Sequence, residues 1–141
     1  MVAMTQEQWR EFVMAGTRTG KLAVTRADGS PHVTPVWFVL DGDEVVLTTH
    51  ATSAKGRALR RDPRTCLCVD DQEPPYSFVI IRGEAVISED LAELRHWAGV
   101  IGSRYMGVGR ADEYGARNGV PGELLVRIRP SAVIAERDIA N

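Results

Sequence analysis

Residues 21–50, KLAVTRADGSPHVTPVWFVLDGDEVVLTTH, contain three strand-like runs that are separated by two short turns. The turns are centred on Asp28–Gly29 and Asp41–Gly42. Aspartate tolerates left-handed backbone angles and glycine adopts them freely, which suits the tight turns of β-hairpins. The segment therefore predicts a three-stranded antiparallel meander.

A helix is predicted on each side of this meander. On the N-terminal side, Thr5 and Gln8 have the spacing of a capping box, and apolar residues then recur at helical spacing, which predicts a helix over about residues 6–17. On the C-terminal side, Ser53 can cap a second helix, which Asp62–Pro63 ends.

Strand-like runs continue through the second half of the chain, at residues 65–70, 76–87 and 123–129, and Ala132–Arg137 extends the sheet after Pro130. Between them, an apolar stripe at helical spacing predicts a third helix, with the residues Leu91, Leu94, Trp97, Val100 and Ile101.

Residues 102–123, GSRYMGVGRADEYGARNGVPGE, contain six glycines and mixed charges. We expect an irregular loop with a helical turn near Asp112–Ala116.

About six strands with few helices and mostly short turns indicate a mainly β, α+β fold, an antiparallel barrel rather than alternating βαβ units. A chain of 141 residues is long enough for one core. We therefore expect a single domain over residues 1–141.

The composition, with 44% hydrophobic and 26% charged residues, is that of a globular domain. The net charge of -2 argues against general attraction to nucleic acid or to an anionic membrane. No apolar run approaches the about 20 residues of a membrane-spanning helix, and the start MVAMTQEQWREF does not resemble a secretory signal. We expect a cytoplasmic protein.

Metal and redox chemistry are not expected. Cys66 and Cys68 would share one face of a strand and are read as reduced, packed thiols, and the three histidines have no metal-ligand spacing. A Rossmann fingerprint, a Walker loop and a Gly-x-Ser-x-Gly elbow are all missing from the sequence.

The most basic segment is Lys55–Arg64, KGRALRRDPR, which carries five cations and one carboxylate at the start of the second predicted helix. Helix N-termini present unpaired N–H groups and partial positive charge, so Ser53, Lys55 and Arg57 could hold a phosphate. The residues alone leave open the alternative of a solvated basic helix.

The order of segments from about Gly20 to Ile87 resembles the pyridoxamine-phosphate-oxidase-like split β-barrel superfamily. Its deazaflavin-dependent branch, which uses coenzyme F420, is the most similar. The most specific piece is KGRALRRDPR, which is similar to that branch's Lys-x-Arg-Asn-Leu-Arg-Arg-Asp-Pro-Arg helix. Ala58 stands where the branch often has asparagine.

The resemblance implies a homodimer with the coenzyme in a groove between two subunits. Carried over by position, Pro35, Val36 and Trp37 would lie along the coenzyme ring. The phosphate would be held by Thr48, Thr49, Ser53, Lys55 and Arg57. Tyr76 and Phe78 could close the groove from the partner subunit, although core aromatics are an equal alternative, and His32 could face the ring or the solvent.

The reaction that the resemblance implies is hydride transfer from reduced F420 to an electron-poor, planar small molecule, which would be bounded by Trp37, the partner's aromatic residues and the glycine-rich stretch. The longer coenzyme carries an oligoglutamate tail that Arg60, Arg61 or Arg64 would suit. The alternatives are an FMN-dependent oxidoreductase and a split barrel that binds a coenzyme or haem without catalysis.

Overall fold

The computed structural model describes residues 1–141 and consists of eight strands in one antiparallel sheet together with four helices. The strands are β1 Val2–Ala3, β2 Gly20–Thr25, β3 Pro31–Val36, β4 Val39–Asp41, β5 Glu44–His50, β6 Arg64–Asp71, β7 Ser77–Ser88 and β8 Glu123–Arg137. The helices are α1 Gln6–Met14, α2 Ala54–Arg61, α3 Leu91–Met106 and α4 Ala111–Asn118. None of these helices combines the length and the apolar character needed to cross a membrane.

The strands are hydrogen-bonded in the order β3-β2-β6-β7-β8-β5-β4, and β1 pairs with β8. The path begins at β3 and ends at β4, so the barrel stays split rather than closed. This arrangement confirms the predicted α+β class with an antiparallel split sheet. The strand count is higher than the predicted six because β1 adds a short strand and because the second run of the meander is divided into β3 and β4.

Local sequence signals account for the ends of several elements. Gly29 and Gly42 have positive φ angles of 85° and 61° in the two predicted hairpin turns. The capping box of Thr5 and Gln8 is present at the start of α1. That helix ends at Met14, earlier than predicted.

The inner face of the sheet carries the main core, which α1 and α2 close with buried side chains such as Trp9 and Leu59. Along β5, Val45 and Leu47 point into this core, whereas Val46 points to the other face, because side chains alternate along a strand. There Val46 meets Leu94 and Ile101 of α3, together with Val39 and Leu125, in a second cluster.

The two predicted C-terminal strand segments form one strand, β8. Its pairing with β7 shifts between Arg82 and Gly83, which lie opposite Ala132 and Pro130. Ser131 is therefore the extra residue of a β-bulge. Proline donates no backbone hydrogen bond and is tolerated at such a bulge, so Pro130 does not end the strand.

The predicted irregular loop at residues 102–123 is largely wrong, since α3 continues to Met106 and α4 forms Ala111–Asn118, where only a helical turn near Asp112–Ala116 was expected. The glycines inside it mark a close contact between the two helices. A Cβ atom added to Gly102 would lie within about 2.3 Å of the Tyr114 Cβ, and one added to Gly115 within 2.8 Å of the Arg95 carbonyl oxygen. Only glycine lets the backbones approach this closely.

Candidate functional site

The site is built around the interruption between β3 and β4, at Trp37 and Phe38. The Phe38 side chain stays in the core, whereas the Trp37 side chain turns outward and is 39% exposed. The break leaves backbone groups of Phe38 outside the β3 and β4 ladders, and α3 supplies their partners. The Phe38 N–H donates to the Tyr105 hydroxyl (3.2 Å), and its carbonyl oxygen accepts from Arg104 Nη1 (2.6 Å).

Arg104 and Tyr105 join this break to the end of α1. The Arg104 guanidinium also donates to the carbonyl oxygens of Val13 (2.8 Å) and Gly16 (3.0 Å). The Tyr105 hydroxyl donates to the carbonyl oxygen of Arg18 (2.8 Å). Burial lowers the pKa of Arg104 and raises the pKa of Tyr105, and the raised pKa favours the protonated Tyr105 hydroxyl that donates to Arg18.

The Trp37 indole is fixed by aromatic neighbours from the α3–α4 pair. It stacks on Tyr105 with the ring centroids 5.1 Å apart and the planes 5° apart. It meets Tyr114 edge to face at 6.1 Å. Such pairs add stability beyond their buried area, so the indole forms a rigid wall.

Beside this wall lies a cleft of about 240 Å³. Strands β3 and β5, the start of α2 and the α3–α4 pair all contribute to it. Its lining residues are Pro35, Val36, Trp37, Thr48, Lys55, Ala98, Ile101, Gly102, Tyr114 and Asn118.

The polar side chains that line the cleft have no partners inside the protein. Thr48, Lys55, Tyr114 and Asn118 make no side-chain hydrogen bond and no ion pair in the chain. None of these groups is among the buried atoms that lack a partner, so they face solvent in the cleft and are free to bind a ligand.

The start of α2 forms one end of the cleft. Ser53 caps the helix, since its hydroxyl accepts from the Gly56 N–H (3.0 Å) and donates to the His50 carbonyl oxygen (2.7 Å). A Cβ atom on Gly56 would lie within 2.4 Å of that oxygen, so the tight turn requires glycine. The first turn has no acidic residue, and Lys55 adds a full positive charge to the helix dipole.

The profile of the family described as pyridoxamine 5'-phosphate oxidase matches residues 5–136. The chain belongs to this family. The match spans nearly the whole sheet and all four helices, which is more than the Gly20–Ile87 region that carried the resemblance in the sequence.

Solved structures place the chain among the split barrels of the pyridoxamine 5'-phosphate oxidase family. A conserved hypothetical protein of Mycobacterium tuberculosis, Rv2991, is 29% identical with a TM-score of 0.86, over 99% of this chain and 90% of that one. A protein described as an F420 reductase is 26% identical with a TM-score of 0.70, over 87% and 94%. The haem storage protein HutZ of Vibrio cholerae, 16% identical with a TM-score of 0.73 over 96% and 98%, shares the fold alone.

Five of the eight residues that were predicted to bind the coenzyme line one cleft. They are Pro35, Val36, Trp37, Thr48 and Lys55. The resemblance to the family grouped these five residues, which come from β3, β5 and the start of α2.

The other three predicted coenzyme residues lie outside the cleft lining. Thr49 points to the inner face of β5, is buried, and has its Oγ1 2.9 Å from the Ser53 Oγ. The Ser53 hydroxyl is occupied by the cap of α2. Arg57 is exposed and has no hydrogen-bond or ion-pair partner. Ala58, the departure from the deazaflavin pattern, packs in the core.

The residues expected from a partner subunit do not line the cleft of their own chain. Tyr76 is exposed at the turn before β7, and Phe78 is half-buried on the outer sheet face between Asp70 and Glu136. His32 lies beside Arg26, 2.7 Å from its guanidinium.

Two further cations of α2 and its C-terminal flank are engaged in ion pairs. Arg60 pairs with Glu89 at 3.0 Å and Arg64 with Asp62 at 2.9 Å. The hydrogen bond from Arg64 lowers the pKa of Asp62 to about 2. Lys55, with no such partner, is therefore the cation of this segment that is available inside the cleft.

Sequence reasoning placed the glycine-rich stretch beside the substrate but named none of the site residues that α3 and α4 supply, which are Ala98, Ile101, Gly102, Tyr114 and Asn118. The predicted third helix could have been extended past Ile101, because Arg104 and Tyr105 are compatible with a helix. No group of three or more His, Cys, Asp or Glu side chains is placed to hold a metal ion.

Proposed function

We propose that this chain is an oxidoreductase that uses reduced coenzyme F420 to transfer a hydride to an electron-poor, planar organic acceptor. The observation that carries the proposal is that Lys55, at the start of α2, and the Pro35–Trp37 segment line the same cleft. A ligand with a flat ring at one end and a phosphate at the other can contact both. Membership of the pyridoxamine 5'-phosphate oxidase family supports this use of the cleft.

The residues at the site fit the phosphate of such a coenzyme. The side chains of Lys55 and Arg57 have no hydrogen-bond or ion-pair partner in the chain. The backbone N–H groups of the first turn of α2 have no acceptor within the helix. Thr48 adds a free hydroxyl at the same cleft. Thr49 and Ser53 would act by shaping the turn, because their hydroxyls are already engaged.

The deazaflavin is preferred over FMN for two reasons. The KGRALRRDPR segment resembles the deazaflavin-dependent branch, and a structure 26% identical to this chain is described as an F420 reductase. The ion pairs of Arg60 and Arg64 are exposed and therefore weak. The carboxylates of an oligoglutamate tail could exchange with Glu89 and Asp62 at these two arginines.

In the reaction, the coenzyme supplies a hydride from its ring, while the protein positions the two rings and excludes water. Trp37, held by Tyr105 and Tyr114, provides a rigid planar surface for stacking. The walls are mainly apolar or aromatic apart from the four unpaired donors, which suits a flat, conjugated acceptor.

We also propose that the working form is a homodimer. The cleft of about 240 Å³ is smaller than the about 300–1,000 Å³ of ordinary ligand sites, so one chain does not enclose a whole coenzyme. Tyr76 and Phe78 lie on or beside the outer sheet face. A partner that packs on this face would bring its own Tyr76 and Phe78 to the groove.

The proposal is tested by titrating the protein with F420 and with FMN while following the fluorescence of Trp37, the most exposed tryptophan. The Lys55→Ala change should weaken coenzyme binding by about 1.5–3 kcal/mol, as expected for a hydrogen bond to a charged group. Arg60→Ala is the matched control on the same helix, since Arg60 does not line the cleft and FMN has no oligoglutamate tail, and it should leave FMN affinity unchanged.

Three outcomes would count against parts of the proposal. Binding of FMN without binding of F420 would rule out the deazaflavin. An unchanged affinity in the Lys55→Ala variant would place the phosphate elsewhere. Binding of reduced F420 without its oxidation by menadione or other acceptors would favour a coenzyme carrier.

A further inference from the structure

Tyr114 and Asn118 form an unassigned polar edge of the cleft. They are four residues apart on α4, so both lie on the same side of the helix. Both line the cleft, and neither side chain has a hydrogen-bond partner in the protein.

The Tyr114 side chain is almost completely buried, with 5% of its surface exposed. The buried side-chain polar atoms without any partner are Thr34 Oγ1 and Arg137 Nε. The Tyr114 hydroxyl also lacks a partner but is not one of these, so it keeps access to solvent at the cleft. A ring that is buried while its hydroxyl is open and unpaired is arranged for a ligand.

The orientation of the Tyr114 ring is held by contacts on several sides. Its edge-to-face contact with Trp37 fixes one side. The guanidinium groups of Arg110 and Arg117 lie 5.2 and 5.6 Å from the centroid of the ring. Gly102 of α3 has no side chain, which leaves room for the Tyr114 Cβ. The hydroxyl is therefore positioned before any ligand arrives, which lowers the entropic penalty of binding.

The chemistry of the ligand follows from the lining of the cleft. Its polar side chains are a hydroxyl of Thr48, an ammonium of Lys55, a phenol of Tyr114 and an amide of Asn118, and no carboxylate is present. All four can donate a hydrogen bond. Apolar and aromatic residues make up the rest, which favours a flat ligand with hydrogen-bond acceptors on its edge.

We infer that the Tyr114 hydroxyl and the Asn118 amide bind a carbonyl oxygen on the edge of a planar, conjugated ring in the cleft. The oxygen can belong to the ring of the coenzyme or to a carbonyl acceptor such as a quinone. The inference rests on the proposed function for the identity of the ring, and on the geometry of α4 for the two donors.

The experiment uses two changes of similar side-chain size, Tyr114→Phe and Asn118→Leu, which each remove a donor without adding a charge. Asp112→Asn, an equally small change at an exposed position of α4, is the matched control. The dissociation constants of F420 and FMN are measured by tryptophan quenching. The dissociation constant of menadione is measured both on the free protein and on protein to which oxidised F420 has been added in excess, so no readout depends on turnover.

We expect about a fivefold increase in one dissociation constant for each variant, since a hydrogen bond contributes about 1 kcal/mol, and no change for the control. Weaker binding of F420 and FMN would assign the oxygen to the coenzyme. Weaker binding of menadione with unchanged coenzyme affinity would assign it to the acceptor. Unchanged constants for all three probes in both variants, with native melting temperatures, would overturn the inference.

The outcomes distinguish a failure of the proposed function from a failure of the inference about Tyr114 and Asn118. Menadione binding that depends on Tyr114 and Asn118, in a protein that binds neither coenzyme, would overturn the proposed function and leave the α4 donor pair intact. Coenzyme binding that depends on Lys55, with neither coenzyme binding nor menadione binding affected by the two α4 variants, would do the reverse. No binding of any of the three probes to the native protein would overturn both.

Discussion

Arg104 serves several backbone groups with one side chain. Its guanidinium satisfies carbonyl oxygens of Val13, Gly16 and Phe38, and it lies over the rings of Phe38 and Tyr105 at 4.8 Å. The end of α1, the broken strand and α3 thus depend on one planar group with several donors. Lysine could not replace it, because an ammonium group cannot reach three separated oxygens.

Replacing Arg104 with methionine should therefore lower the free energy of unfolding by about 2–4 kcal/mol. Methionine retains the apolar part of the side chain but leaves the three carbonyl oxygens without their charged donor, at about 1–3 kcal/mol for each group that stays buried. Urea denaturation of the purified protein measures the change.

Arg117→Met is the control for this change, because Arg117 is exposed and makes no ion pair. It should alter stability by less than about 0.5 kcal/mol, apart from any weakening of its contact with Tyr114. Equal effects of the two substitutions would contradict the role assigned to Arg104.

At the level of elements, the meander and the α2 turn were predictable because local chemistry determines them. Asp–Gly pairs set the turns, and Ser53 caps the helix whatever packs around it. The α3–α4 pair was not predictable in the same way, since Gly102 and Gly115 have low helix propensity and are helical only because the two helices approach closely. The break at Trp37 also depends on a distant partner, Tyr105.

This close approach predicts the effect of Gly102→Ala. Alanine is favoured over glycine by about 1 kcal/mol within a helix, but its Cβ would collide with the Cβ of Tyr114, and overpacking typically costs about 1–3 kcal/mol. We expect a net loss of stability, and weaker coenzyme binding because α4 must move away from the cleft. Thermal melting and fluorescence titration measure the two effects.

Ser103→Ala, at the next position of α3, separates propensity from packing. Serine to alanine also raises helix propensity and adds no atom to the α3 surface, so this variant should match or exceed the native stability. A Gly102→Ala variant that is more stable than native, with unchanged binding, would show that α3 and α4 can separate freely.

For the whole molecule, the uncovered sheet face determines what the protein can assemble with. Two rows of paired residues cross this face from β3 to β8. The rows are Val33, Ala23, Cys66, Arg82 and Ala132, and Pro35, Lys21, Cys68, Ile80 and Ile134. The buried apolar side chains of the helices lie in the two core clusters or at the cleft, which leaves the face without a cover.

Largely apolar rows across five strands are suited to packing against a second copy, because exposed contiguous apolar patches mark interaction sites. Val33 and Ile134 are 63% and 41% exposed and stand near the two ends of the rows. Sedimentation velocity at about micromolar concentration should show a dimer for the native protein. Ile134→Glu should give a monomer, because a dimer would have to bury two added carboxylates.

The control for Ile134→Glu is Val108→Glu. Val108 is 99% exposed at the tip between α3 and α4, away from the sheet. It should remain dimeric. If Tyr76 and Phe78 reach the partner's groove, the Ile134→Glu monomer should also lose most of its coenzyme affinity while keeping the native circular dichroism spectrum. A monomer that binds coenzyme as tightly as the native protein would show that one chain completes the site alone.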